Sequence, residues 1–481
     1  MRVLLRCSII TLTGLLIISC STPTITRHAL RHMIAIEGDG DPFEFKSYEF
    51  PTNTFNDFED GEYSFSNHIA EIIQGIKESG KTNILIFVHG GMNPLPEAMQ
   101  RAATQSMIID TSTDYYPIFV NWNSSMWSSY FENLFLLQNG MRSYVMRPLL
   151  SPFILMSDMG SAILCLPQTF TQQFYGWKKS AIMNPEYDEQ QDITFIKPEH
   201  RIVLQHGDDY SGMTEFLAGR AVYGLMFPFR MMTTPLLDAF GNRAWSTMNR
   251  RTRTVFRRPE TLGDIKSENP PRDFHPPDGG LGILMTALSE LHAKDPRYKF
   301  TIIGHSMGTI ILNELLFDYD NLPYDNIVYM AAACSIRDME NAVFPYLQEH
   351  KNSRFYHLTL HQLADETENS LGSLGPPDSI WQWMQIVPRG SLLEWVDAYL
   401  SDAITPDDRT AGKWSNIVSG LPVIPPDIRS QISIKGFGIY DPSTNTRTLD
   451  KPQRHGDFTD ANQKYWLHDY WRVATMLSED K

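Results

Sequence analysis

Cysteine is scarce, at four in 481 residues. No CxxC pair and no Cys/His cluster occurs, so neither a disulfide framework nor a structural metal is expected, and no cofactor is called for. No long basic tract occurs either. A net charge of −15 argues against nucleic acid as a partner and against simple adhesion to an anionic membrane. Internal repeats and long low-complexity stretches are absent. What remains is apolar: 42% hydrophobic residues, 12% aromatic residues and 22 methionines against 20% charged residues. That supply suits one large α/β domain with insertions, or two domains, and is compatible with a greasy binding surface.

Residues 1 to 19 carry Arg2 and Arg6, then an apolar run from Ile9 to Ile18, and no acidic residue. The run is too short to span a bilayer and ends in small residues, as a secretory signal does. Leu16-Ile17-Ile18-Ser19-Cys20 resembles the lipobox of bacterial lipoproteins, where cleavage precedes the cysteine and the cysteine takes the lipid. The resemblance implies a lipidated Cys20. Ser21, standing where aspartate would mark inner-membrane retention, implies an outer-membrane anchor. An uncleaved N-terminal anchor is the alternative. In both cases the body is expected outside the cytoplasm, in the bacterial cell envelope, held by buried acyl methylenes. Cys7 leaves with the signal, so Cys165 and Cys334 remain, and they pair only if the fold brings them together.

Hydropathy periods then mark out elements. Residues 20 to 66 read as a linker with short extended candidates at His32 to Ile36 and Phe43 to Phe50. Asn67 to Lys81 is a helix with Ile69, Ile72, Ile73 and Ile76 on one face and Gly80 as its stop. Ile84 to Val88 is a continuous apolar run of the kind buried on both faces of a parallel sheet, and it ends in His89-Gly90-Gly91. A helix over Ala102 to Asp110 and a strand over Pro117 to Trp122 follow. Farther on, Gly282 to His292 reads as a helix, and Asn326 to Ala333 and Phe355 to His361 as strands. Ile432 to Tyr440 reads as a last strand, and Ala461 to Leu477 as an amphipathic helix.

The central stretch runs from Lys299 to Leu316. Phe300 to Ile303 suit a buried strand, and Thr309, Ile310, Leu312, Asn313 and Leu316 suit a helix packing back on it. Between them Gly304-His305-Ser306-Met307-Gly308 forms a G-x-S-x-G turn. The turn is too tight for side chains at its flanks, and it holds Ser306 on a strained backbone at a helix N-terminus, as a nucleophile requires.

A strand closing on His-Gly-Gly, a neighbouring strand ending near a tryptophan and Gly-His-Ser-Met-Gly together resemble the lipase- and esterase-like members of the α/β-hydrolase superfamily. The resemblance covers about residues 80 to 125 and 285 to 470. It implies a mostly parallel sheet flanked by helices, with Ser306 as the nucleophile and Gly90, Gly91 and Met307 as backbone donors of an oxyanion hole. By superfamily position it implies Asp365, in the loop after the Phe355 strand, as the acid. Asp338, one loop earlier, is the runner-up. His455, in a turn between the last strand and the last helix, is the implied general base. His305 reads as a packing residue.

The expected organisation is a signal over 1–19, a linker over 20–66, a first core part over 67–125, a mainly helical insertion over 126–280 and a second core part over 281–481. The insertion has greasy sections at Met126 to Phe174 and Ala218 to Phe240, with Pro148 and Pro152 expected to break the first into short helices. A polar piece, Asn184 to Tyr210, separates them, and a basic run occupies Asn249 to Arg258. The insertion reads as a lid, as a surface dipping into lipid, or as a subdomain burying its apolar face on the core. The implied activity is that of a membrane-anchored serine hydrolase cleaving small or lipid carboxylic esters. An acyltransferase with the same triad, and a non-catalytic binding lipoprotein on the same fold, are the alternatives.

Overall fold

The computed structural model describes residues 25–43, 64–138, 141–164, 166–167, 170, 202–206, 227–258, 278–360, 396, 409–414, 416–417, 424–439, 452 and 454–471. Its centre is a parallel sheet. The strands are β1 (Met33–Ile36), β2 (Asn83–Val88), β3 (Tyr115–Trp122), β7 (Lys299–His305), β8 (Tyr324–Met330), β9 (Arg354–Leu360) and β10 (Ile432–Ile439). A two-stranded ribbon, β4 (Leu137–Gln138) with β5 (Met141–Arg142), lies outside the sheet, and β6 (Ile202–His206) adds to its β10 edge. The spatial order is β1-β3-β2-β7-β8-β9-β10-β6, and every pairing is parallel.

Parallel neighbours need crossover connections, and these put helices on both faces. One face carries α2 (Phe65–Ser79), α7 (Gly280–Lys294), α8 (Gly308–Asp318) and α9 (Ile336–Glu349). The other carries α1 (Arg27–Leu30), α3 (Leu95–Ser112) and the C-terminal residues through α10, which by chain order closes the described chain at His468–Trp471. The apolar runs of the strands follow from this. Ile84, Ile86 and Val88 point to the first face, and Leu85 and Phe87 to the second. β7 and β8 divide their side chains in the same way.

The helix ends obey local chemistry. Ser64 Oγ caps α2 by accepting from the Asn67 N–H at 3.2 Å, and Gly80 ends it at φ 68°. α3 starts seven residues before the expected Ala102. Pro96 stands in its first turn, where proline is tolerated because its missing N–H has no helical partner.

Between β3 and α7 lie α4 (Met126–Phe135), α5 (Met146–Leu164) and α6 (Phe227–Thr254). The prolines do not break α5 as expected. Pro148 sits in its first turn, and the Pro148 carbonyl that Pro152 leaves without an amide donor is taken by Ser151 Oγ at 2.8 Å. The basic run begins in the last turns of α6, which ends at Thr254. Trp245, Met248, Val255 and Phe256 carry that end into the main core. Within the stretch read as a polar piece, Ile202–His206 is a strand. Arg251 fastens this region: its guanidinium donates to Glu132 Oε2 at 2.5 and 3.0 Å and to the Asn123 carbonyl at 2.7 Å, in a site where both side chains are 4% exposed.

After β10 come 3₁₀ turns over His455–Thr459 and Ala461–Gln463 and then α10, so the helix expected from Ala461 does not begin there; its part beyond Trp471 lies outside the described residues. Lys464, left-handed at φ 50°, interrupts any helix there. The strand candidate at Phe43 to Phe50 lies outside the described residues beyond Phe43. Cys334 is a buried free thiol, pushed up to about 12 by desolvation; Cys165 is outside the described residues.

Candidate active site

The sheet order sets β2 and β8 on either side of β7, so the loops leaving β2 and β7 meet at the C-terminal edge. β7 ends at His305, and α8 begins at Gly308 with Met307 as its N-cap. Ser306 between them is left-handed at φ 52° and 3% exposed. A serine in that conformation costs roughly 1–2 kcal/mol, so its surroundings must hold it. They do so through the main chain: Ser306 N–H donates to the Met330 carbonyl at 2.9 Å, and its carbonyl accepts from Thr309 and Ala333 N–H, each at 3.1 Å. Gly308 lets α8 close onto β2, because a Cβ there would stand 2.3 Å from the Val88 carbonyl oxygen.

The His89-Gly90-Gly91 loop rests on this elbow. A Cβ on Gly90 would lie 2.7 Å from Ser306 Cβ, and one on Gly91 would lie 2.5 Å from Met307 Sδ. Three donors hold the Gly90 carbonyl: His89 Nδ1 at 2.7 Å, Asn93 Nδ2 at 3.0 Å and Ser124 Oγ at 3.1 Å. Asn93 Nδ2 also donates to the Gly91 carbonyl at 2.9 Å, and Arg101 Nη2 donates to Asn93 Oδ1 at 3.3 Å. In a trans peptide the N–H points opposite to the preceding carbonyl. Pinning the Gly90 carbonyl therefore turns the Gly91 N–H the other way. Neither that N–H nor the Met307 N–H donates to a main-chain carbonyl among the described residues. Met307 makes no side-chain cap on α8, whose positive end lies beside them.

His89 is fixed as the Nδ1–H tautomer, since its Nε2 accepts from the Trp122 N–H at 3.1 Å. Its ring stacks on Trp122, whose Nε1 donates to the His89 carbonyl at 3.0 Å. Desolvation by complete burial lowers its pKa to about 3. The tryptophan ending β3 thus braces the loop that ends β2.

His455 opens its 3₁₀ turn on the second face of the sheet. Phe458 anchors that turn by packing edge-on against Phe437 of β10, and Gln105 of α3 donates to the Thr459 carbonyl at 2.9 Å. His305 Nε2 donates to the His455 carbonyl at 2.9 Å, with the two ring centroids 4.8 Å apart. His305 is therefore a neutral clamp, lowered to about 4 chiefly by desolvation. Burial, and secondarily His305, holds the His455 imidazole well below its ordinary value. The structure sets His455 against the residue preceding Ser306. Ser306 Oγ and the His455 ring are not themselves hydrogen-bonded.

Asp365 lies outside the described residues. Asp338 sits in the first turn of α9, where its N–H donates to Ser335 Oγ at 3.0 Å. Its side chain is exposed on α9, a helix of the first face, whereas His455 opens its turn on the second. No hydrogen bond or ion pair joins it to His455.

Asn93, Ser124 and Arg101 went unread in sequence. Asn93 follows the glycines by two residues, but only the folded loop shows its two-carbonyl grip. Among the described residues one group has cation-ligand spacing: His28, His32 and Asp110, with ligand atoms within 4.8 Å. Lys81 Nζ, 2.8 Å from Asp110 Oδ1, already supplies the positive charge there. The cluster sits at the C-terminal end of α3, the end away from the glycine loop. Comparison with family models, with curated proteins and with solved structures finds no match to this chain.

Proposed function

We propose that the chain is a serine hydrolase of the α/β-hydrolase type that cleaves carboxylic esters through an acyl-enzyme on Ser306. The observation that carries the reading is the left-handed Ser306 at a strand-to-helix turn with the Gly90 backbone against its side chain. A serine hydroxyl is a weak nucleophile until a base takes its proton. His455, neutral and beside the elbow, is assigned that role. Asp365 is assigned to fix the imidazole tautomer, in the chain order Ser, Asp, His.

Ser306 Oγ attacks the ester carbonyl carbon while His455 takes its proton. The carbonyl oxygen becomes an oxyanion facing the N–H groups of Gly91 and Met307. Collapse expels the alcohol, which leaves with the proton from His455, and water releases the acid by the same steps. The electrostatic contribution of such donors is commonly the largest one.

The same reading assigns a lipid to Cys20 and the body to the outer membrane of a bacterial envelope. Fluorophosphonate labelling and hydrolysis of p-nitrophenyl esters from C2 to C16 test the chemistry. Wild type should label and turn over, and Ser306→Ala should do neither. A wild-type chain inert to every ester and to the probe would sink hydrolysis and favour the binding reading. Metabolic labelling with an alkynyl fatty acid, lost in Cys20→Ala, tests the anchor.

A further inference from the structure

The helices α4 and α5 are built inside out. On α4, Trp127, Phe131 and Phe135 recur at i, i+4 and i+8, and on α5, Phe153, Met156 and Ile163 line one side. These six side chains are between 41% and 71% exposed. The charges of the same helices turn the other way. Asp158, with a 2% exposed side chain, pairs with Arg243 at 3.1 Å and accepts from Tyr130 Oη at 3.3 Å. Glu132 is held by Arg250 and Arg251, and Arg147 Nε donates to the Asn133 carbonyl at 2.7 Å. A helix packed in water shows the reverse polarity, with charges outward and apolar side chains inward.

We propose that this face of α4 and α5 lies in the interfacial zone of a phospholipid bilayer, with the helices flat on the membrane. Among the described residues no helix is long and apolar enough to cross one. An interfacial helix instead buries an apolar side to the depth of the upper acyl chains. A protein partner would be expected to meet a polar rim, whereas α4 and α5 turn Glu132 and Asp158 inward. The net charge of −15 selects zwitterionic over anionic lipid. The bilayer's presence rests on the proposed lipid at Cys20.

The test uses the full chain, with Cys165→Ser so that one introduced cysteine carries an environment-sensitive fluorophore. The label goes at Phe153→Cys or, as a control, at Lys294→Cys on α7, where the lysine side chain is 76% exposed. With phosphatidylcholine vesicles, the Phe153 probe should shift to the blue. It should be quenched at least twofold by acyl-chain nitroxides and little by aqueous iodide, while the Lys294 probe shows the opposite. A lipidated chain whose Phe153 probe behaves like the control overturns the proposal. So does a blue shift that grows with protein concentration and ignores nitroxide lipids, because a second copy would then cover the face. A chain without lipid at Cys20 but quenched at Phe153 would remove the anchor and leave the face. Failure of fluorophosphonate labelling would bear on the chemistry alone.

Discussion

The backbone of Gly90 rests on the side chain of Ser306, so closely that a methyl group at Gly90 would fall 2.7 Å from Ser306 Cβ and 2.9 Å from His305 Nδ1. Gly90→Ala must therefore push the loop off the elbow or turn Ser306. Overpacking of this kind costs about 1–3 kcal/mol. On the proposed mechanism it also displaces an oxyanion donor, which typically costs on the order of 100-fold or more in kcat. Thermal melts should show modest destabilisation, while fluorophosphonate labelling falls far more steeply. Labelling at the wild-type rate would show that the loop has no part in the site.

Arg251 and Glu132 form a buried pair joining α6 to α4 and to the end of β3. Arg251→Met should destabilise by about 3–5 kcal/mol, because Glu132 loses its closest countercharge inside the protein. The double substitution Glu132→Gln with Arg251→Met should recover part of that loss. Urea unfolding of the three variants gives the comparison. Equal stability of Arg251→Met and wild type would mean that Arg250 alone satisfies the carboxylate.

Burial keeps His89 at about 3 and His305 and His357 at about 4. A folded-state value below the unfolded 6.5 means that the unfolded chain binds the extra proton first. Stability is then complete above pH 6.5 and falls as pH drops from 6.5 toward 4, by up to about 1.4 kcal/mol per pH unit for each group. His357→Phe should flatten that slope by one group's share, measured as unfolding free energy against pH. The residue packs between Tyr329 and Phe355, away from the proposed chemistry.

His455 follows the same sign with a kinetic readout. A base acts in its neutral form, and desolvation favours that form, so the acid limb of kcat/KM should fall below pH 6.5. A limb above 6.5 would mean that a carboxylate beside the imidazole outweighs its burial.

How much of this was readable in the chain depends on where the information sits. Ile84 to Val88 announced a doubly buried strand because both sets of alternate residues are apolar, and the structure uses both. Ser64 and Gly80 bracket α2 by local rules, and the sequence reading was two residues late at each end. Pro148 and Pro152 misled because proline breaks a helix only where an amide is required and no side chain compensates. Ser151 does compensate, and that contact exists only in the helix. The helix expected from Ala461 is interrupted at Lys464, whose left-handed backbone no hydropathy period encodes. At the site, Ser306, Gly90 and Gly91 were legible because glycine spacing reports close approach. Asn93 was not, since its grip exists only in the folded loop, and Ser124 was not, since it reaches the Gly90 carbonyl only when β2 and β3 pair.

That holding task makes Asn93 the sharpest probe of the oxyanion loop. Its amide nitrogen bridges the Gly90 and Gly91 carbonyls at 3.0 and 2.9 Å, and it never needs to touch the ester. Asn93→Ala removes one of three donors to Gly90 and the side-chain donor to Gly91, so the loop should loosen without collapsing. kcat should drop by about 10- to 100-fold, less than for outright loss of an oxyanion donor, with KM nearly unchanged because ground-state binding does not require the donors to be aligned. Asn93→Asp keeps the size but replaces the NH₂ with a second acceptor, setting negative charge against two carbonyls and near the developing oxyanion. It should therefore be the worse of the two substitutions, despite its closer shape. If Asp matched wild type, the Gly90 and Gly91 carbonyls would not need this clamp, and the backbone orientation argued for Gly91 would lose its support.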